Sequence, residues 1–249
     1  MSSFKPSHYL VRVENLGATV ADYEAAGFTV SWGSPQEVAH NALIHFEAGG
    51  FIELYTAPSG PEGEARQRGA AENAAKGIQL FQRFHRMINV GRGFCDFALE
   101  TELPLGEALV QPGERVPLSG TIPSKRLQES GVETQWEIAF PKEDLVLPFL
   151  MGPYDPAPVI TDEMRSHANG LKSLNGLRLR HPEPMAFLER LALFFSGAEL
   201  LAQDQGATLV LGDFECRVES GEAPDWLALL SRQAPEGGLR LPGLKIQNL

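Results

Sequence analysis

Cysteine is scarce in this 249-residue chain, which has only Cys95 and Cys216. Two thiols cannot make a disulfide framework. With no CxxC spacing and no adjacent histidine, they read as small buried apolar residues rather than nucleophiles. Positive charge is also in short supply. Lys and Arg number 21 against 32 Asp and Glu, a net charge of −11. That balance disfavours binding to nucleic acid or to an anionic membrane, both of which need basic patches. No apolar run approaches the roughly 20 residues that span a bilayer. Met1 to His8 carries neither an apolar signal core nor a small-residue cleavage site. The expectation is a cytoplasmic protein with reduced thiols and no nucleic-acid or membrane partner. There is no P-loop, no GxGxxG after a strand and no GxSxG, so a nucleotide cofactor and α/β-hydrolase chemistry have no support.

What is present is ordinary globular composition, 43% hydrophobic and 21% charged, in a chain long enough to bury a substantial core. The first sixty residues are the most regular. His8 to Glu14 (HYLVRVE) reads as a strand. Asn15 can cap a helix with Leu16, Val20, Tyr23 and Ala26 on one face, and Gly27 can close it. Phe28 to Trp32, His40 to Glu47 and Phe51 to Thr56 read as three further strands. The order is β-α-β-β-β over residues 1–58.

Residues 59–91 read as a solvated, partly helical connection, with helical apolar spacing from Ile78 to Ile88. There Arg83, His85 and Arg86 read as a solvated helix face. Residues 92–153 form a second, irregular module. Gly93 to Thr101, Thr134 to Phe140 and Leu145 to Met151 are its strands, Pro148 restricting the last to an edge or bulge. The Pro- and Gly-rich stretch from Leu103 to Pro123 leaves no room for a long helix. Tyr154 to Pro158 reads as a linker. Residues 170–221 repeat the first unit: a strand at Leu174 to Arg180, a helix at Pro182 to Ser196 closed by Gly197, and strands at Glu199 to Gln203, Ala207 to Leu211 and Phe214 to Glu219. In the 222–249 extension, Asp225 to Gln233 reads as a helix. A third module lacks an internal partner on this reading; it would pair across a two-fold axis or be covered by the Ile78 to Ile88 helix.

Several short blocks then fall in a telling order: HYLVRVENLGATVADYEAAGFTVSWG, HNALIHF and FIELYTAP, followed by Gln135-Trp136-Glu137, Leu147-Pro148-Phe149 and Ser166-His167-Ala168-Asn169-Gly170. Together they resemble the glyoxalase-like domains of the vicinal oxygen chelate (glyoxalase/bleomycin resistance/dioxygenase) superfamily. The resemblance is strongest over residues 7–58. It implies an α+β fold of repeated β-α-β-β-β modules that pair into incomplete barrels. It also implies a cleft that binds a small molecule through neighbouring oxygens, and pairing of copies into a homodimer.

The resemblance further implies a divalent metal on the first and last strands of paired modules, acting as a Lewis acid. His8 and Glu53 fall at the two ligand positions of the first module. A mixed His and carboxylate set suits Mn, Fe, Ni, Co or Zn. The counterparts elsewhere are Asp96, then Leu150, Met151 and Gly152, and in the third module Asn175 and Cys216. His40, with Glu53, is the candidate catalytic residue. Arg12, Tyr55 and Trp136 are candidate substrate contacts. His45 and His167 are the remaining histidines to place. His181, before Pro182, reads as a strand-to-helix turn. The expected function is a lyase, isomerase or dioxygenase acting on vicinal oxygens. The alternatives are a metal-free protein that sequesters small molecules in the same cleft, and a scaffold whose cleft is closed by side chains.

Overall fold

A computed structural model describes residues 4–57, 59–89, 92–127 and 131–249. Met1 to Ser3, on which the reading of the N-terminus partly rests, and Pro58, where the first module is expected to end, lie outside the described residues.

The first module is β1 (Lys5–Arg12), α1 (Leu16–Ala25), β2 (Ser31–Trp32), β3 (Asn41–His45) and β4 (Phe51–Tyr55). Asn15 caps α1, its side-chain oxygen accepting from the Ala18 N–H at 2.9 Å. The strand expected over Phe28 to Trp32 shortens to β2, because the Thr29 N–H donates to His167 Nδ1 instead of a neighbouring strand. The connection that follows is two helices, α2 (Gly60–Ala75) and α3 (Gln79–Asn89). The second module is β5 (Gly93–Glu100), short helices α4 (Leu105–Ala108) and α5 (Val110–Gly113), then β6 (Ile122–Leu127), β7 (Glu133–Ala139) and β8 (Phe149–Met151). The strand expected from Leu145 is cut to β8. The carbonyls of Leu145 and Leu147 accept from Arg86 and Arg83 rather than from a ladder, and Pro148 brings no N–H.

After α6 (Asp162–Arg165), the third module is β9 (Gly176–His181), α7 (Pro184–Ala192), β10 (Glu199–Gln203), β11 (Gly206–Leu211) and β12 (Phe214–Ser220). The C-terminal stretch is β13 (Asp225–Ser231), β14 (Leu239–Leu241) and β15 (Leu244–Asn248). The expected helix from Asp225 to Gln233 is therefore a strand. Ala228, Leu229 and Leu230 are all buried, so the run is apolar on both faces and shows no period-2 alternation.

These strands make two sheets, in the orders β2-β3-β4-β1-β5-β8-β7-β6 and β10-β11-β12-β9-β13-β15-β14. Each joins two modules through an antiparallel pair of first strands, β1 with β5 and β9 with β13. Within each module the first strand pairs in parallel with the last. The third module is thus completed by the chain's own β13–β15. This replaces both expected arrangements, a second copy or the α3 helix. The α+β architecture of repeated modules and half-barrels stands as expected.

One continuous core holds the two sheets back to back. Tyr9, Val11, Ile52, Leu54, Phe97 and Leu99 of the first meet residues such as Leu177, Leu209 and Ile246 of the second, with α1 and α7 packed in. Trp226 of β13 bridges the seam, its ring 5.0 Å from Phe94 and 5.6 Å from Phe97. Side chains alternate along a strand, so His8, Leu10, Phe51, Glu53, Ala98 and Phe149 point the other way. They line the concave face of the first sheet, over which α2 and α3 lie.

Candidate functional site

The concave face encloses a cavity of about 580 Å³ reached by His8, His40, Asn41, Glu53, Trp136 and Phe149 among others. It begins with Gly50. At φ +87°, this glycine lets β4 approach β1 so closely that a Cβ would run into the Ser7 carbonyl. The approach sets Phe51 flat against the His8 imidazole, centroids 4.7 Å apart and planes 10° from parallel. Phe149 meets the same ring edge-on at 5.3 Å. The imidazole is therefore clamped between aromatic rings.

Hydrogen bonds fix its tautomer. The Ser7 hydroxyl donates to Glu100 Oε2 at 2.7 Å. A carboxylate offers only acceptors, so the Ser7 oxygen is left to accept from His8 Nδ1–H, 3.1 Å away. Nε2 then carries the lone pair and lies 3.5 Å from Glu53 Oε2. Burial pushes the His8 pKa below its ordinary value, against the opposing pull of Glu53 and Glu100. At neutral pH the ring is neutral and is a base at Nε2. Glu53 is held in turn by Asn41, whose side-chain N–H donates to Oε1 at 2.7 Å.

His8, Glu53, His40 and Trp136 come together as cavity-lining residues. His40 sits exposed at the start of β3, on the rim. Trp136 forms the opposite wall, 5.1 Å from the Tyr154 ring. Tyr55 lines an adjoining apolar cavity of about 560 Å³ beneath α2 and α3. Its hydroxyl donates to the Met87 carbonyl at 2.9 Å and touches Cys95 Sγ at 3.2 Å. Arg12, opposite Tyr55 on β1, makes no ion pair with Glu53 and does not line the main cavity. His45 packs against Phe51 at 5.2 Å. Burial, with Arg165, Arg126 and His167 nearby, pushes its pKa down to about 4. His167 is a strut: Nε2 meets the His45 carbonyl at 2.9 Å, and Nδ1 accepts the Thr29 N–H. His181 caps a turn by accepting the Glu183 N–H. Both cysteines are buried and free, and burial pushes the Cys95 thiol up to about 12.

The reading of Arg83 and Arg86 as a solvated helix face is wrong. Arg83 is fully buried. α3 turns it into the half-barrel, where Nη2 and Nε hold Asp96 at 2.6 and 3.0 Å and Nη1 donates to the Leu147 carbonyl at 2.8 Å. Arg86 reaches the same carboxylate at 3.3 Å. The guanidinium of Arg83 also lies over the Phe140 and Phe149 rings. The signal for it was Asp96 inside the apolar run GFCDFALE, since a buried carboxylate needs a cation. Ser7, Glu100 and Asn41 carried no such signal, because only the sheet register brings them to His8 and Glu53.

This geometry bears directly on a metal. His8 Nε2 and Glu53 Oε2 are two suitable donors. Asp96 is taken by two arginines, and Phe149 and Met151 close the remaining wall. Among the described residues no three or more His, Cys, Asp or Glu side chains converge. Catalytic centres ordinarily use three protein ligands. The donor set of the described residues does not fit a metal held by the protein alone.

Comparison with known proteins agrees with the architecture. The family described as glyoxalase-like domain matches residues 7–195. No curated protein sequence matches the chain. A hypothetical protein from Staphylococcus aureus superposes with a TM-score of 0.72 at 16% identity, covering 99% of this chain and 100% of that one. The Mn(II)-bound glyoxalase from Novosphingobium aromaticivorans gives 0.55 at 11% identity, covering 93% and 66%. An extradiol ring-cleaving dioxygenase from B. fuscum gives 0.51 at 12%, covering 92% and 57%. At these identities the likeness is one of fold.

Proposed function

Because this chain belongs to the glyoxalase-like domain family, we propose that it is a small-molecule enzyme acting on a substrate with neighbouring oxygens in the first half-barrel. The observation that supports this reading is the line Glu100–Ser7–His8–Glu53. It presents an unprotonated Nε2 from a buried ring and, beside it, a half-buried carboxylate held by Asn41, to one cavity. A general base needs this combination: a neutral ring, an orienting partner and access to substrate.

Of the lyase, isomerase and dioxygenase chemistries, proton-transfer isomerisation asks only for groups the chain supplies. His8 Nε2 takes the proton from a carbon that bears a hydroxyl and adjoins a carbonyl. The C–H bond breaks, an N–H bond forms, and the electron pair moves onto the carbonyl oxygen. Glu53 balances the imidazolium charge. The hydroxyl proton passes to the neighbouring oxyanion, the first carbon becomes the new carbonyl, and the proton on Nε2 returns to the second carbon. His40 stands at the rim as a substrate contact, and Trp136 as a wall. A second reading, sequestration without chemistry, draws support from the apolar Phe149–Met151 wall and the locked Asp96.

The test is exchange of the carbon-bound proton of α-hydroxy ketones in D2O, followed by NMR. Exchange that falls by about 100-fold or more in His8→Gln supports the base. Binding without exchange supports sequestration. Elemental analysis after dialysis against Mn, Fe, Ni, Co and Zn salts completes it. Stoichiometric retention that is lost in His8→Ala would restore the metal-dependent reading.

A further inference from the structure

The cavity is lined by charges of opposite sign from separate strands. Glu53 stands on β4, beside β1. Five strands away in the sheet, β6 at the edge brings Arg126 to the wall formed by Trp136, its guanidinium carbon 6.0 Å from that ring. The other cations around the cleft mostly have partners. Arg83 and Arg86 hold Asp96, and Lys125 reaches Glu133 at 3.0 Å. Arg126 has no carboxylate partner among the described residues, and its Nε–H is buried with no acceptor. A buried guanidinium N–H without an acceptor is costly, and the fork of donors that Arg presents matches a carboxylate in two-point contact. Arg66 of α2 adds a second cation to the lining.

We propose that Arg126 is the anchor for a carboxylate, and that the cleft selects small acids carrying their reacting oxygens at the end remote from the carboxylate. Glu53 repels the anionic end and accepts from a hydroxyl, so the two charged side chains set one direction of binding. The body of the acid lies between them against Phe51, Phe149 and Trp136. The proposal rests on the cavity assigned above as the active site, and its test separates the two.

The probes are three acids paired with their neutral primary amides: 3,4-dihydroxybenzoate, 4-(hydroxyacetyl)benzoate and 5-hydroxy-4-oxopentanoate. Dissociation constants are measured by ligand-observed NMR and calorimetry, without added metal and again with Mn(II). The expected result is that acids bind about tenfold or more tightly than their amides. Arg126→Gln removes that preference while leaving amide affinity unchanged, and Arg126→Lys restores part of it. Lys125→Gln, which removes the neighbouring but already paired cation, leaves the preference intact. Circular dichroism confirms that each variant is folded. Equal binding of acids and amides, no binding of any acid, or a preference that survives Arg126→Gln overturns the proposal. Loss of exchange chemistry in the wild type with the acid preference retained overturns the catalytic reading instead.

Discussion

Arg83 grips both oxygens of Asp96 inside the first half-barrel, at 2.6 and 3.0 Å, with neither side chain reaching solvent. Asp96 stands on the first strand of the second module, as His8 stands on that of the first. The pair therefore fills the side of the cleft where a second set of ligands would converge, and pins α3 over the cavity. Breaking such a pair from one side strands a buried charge. Arg83→Leu should cost about 3–5 kcal/mol in urea unfolding. The double variant Arg83→Leu/Asp96→Leu should recover much of that loss, because it leaves no uncompensated carboxylate. Additive losses in the double variant would show that the pair is not coupled.

His8 should be visible in long-range 1H–15N spectra as the Nδ1–H tautomer at neutral pH. Ser7 dictates this by spending its own proton on Glu100. Ser7→Ala removes the acceptor and should let the ring populate the other tautomer, shifting the proton toward Nε2 and Glu53. A wild-type spectrum with the proton on Nε2 would contradict the orientation of the line. Catalytic exchange should fall in Ser7→Ala by less than in His8→Gln, since the base remains but its alignment is lost.

Acid should weaken the fold through His45. Its pKa is about 4 in the folded chain against 6.5 ordinarily, chiefly from burial. The unfolded chain therefore binds the proton more readily. The stability involved is fully present above pH 6.5 and is lost as pH falls toward 4, an amount of about 3 kcal/mol. His8 and His167, also lowered, act in the same direction. Urea midpoints measured from pH 7 to pH 4 should decline, and the decline should be shallower in His45→Gln. A variant with the same slope as the wild type would remove His45 from the account.

The first module was legible because its signals are local: the Asn15 cap, the glycine after α1 and alternating strands. His8 and Glu53 could be placed on its first and last strands for the same reason. Their helpers could not. Ser7 meets Glu100 across 93 positions of sequence, and only the β1–β5 register decides that. Arg83 looked solvated because helical spacing describes one helix and not what the helix is pressed into. β13 was misread because a strand buried on both faces has no alternation to see.

Trp226 tests whether that misread strand holds the two half-barrels together. Its ring lies across Phe94 and Phe97 of β5, while its own strand pairs with β9. It is thus one of the side chains through which the second sheet grips the first. It is half-buried, so Trp226→Ala should cost about 2–3 kcal/mol, somewhat less than a fully buried aromatic. Trp226→Phe should cost about half as much. The cost should appear in one cooperative transition, because both sheets share one core. Two transitions, with the half carrying His8 and Glu53 melting apart from the C-terminal half, would mean that the seam is weaker than its packing implies. The second half-barrel would then not be a scaffold on which the first depends.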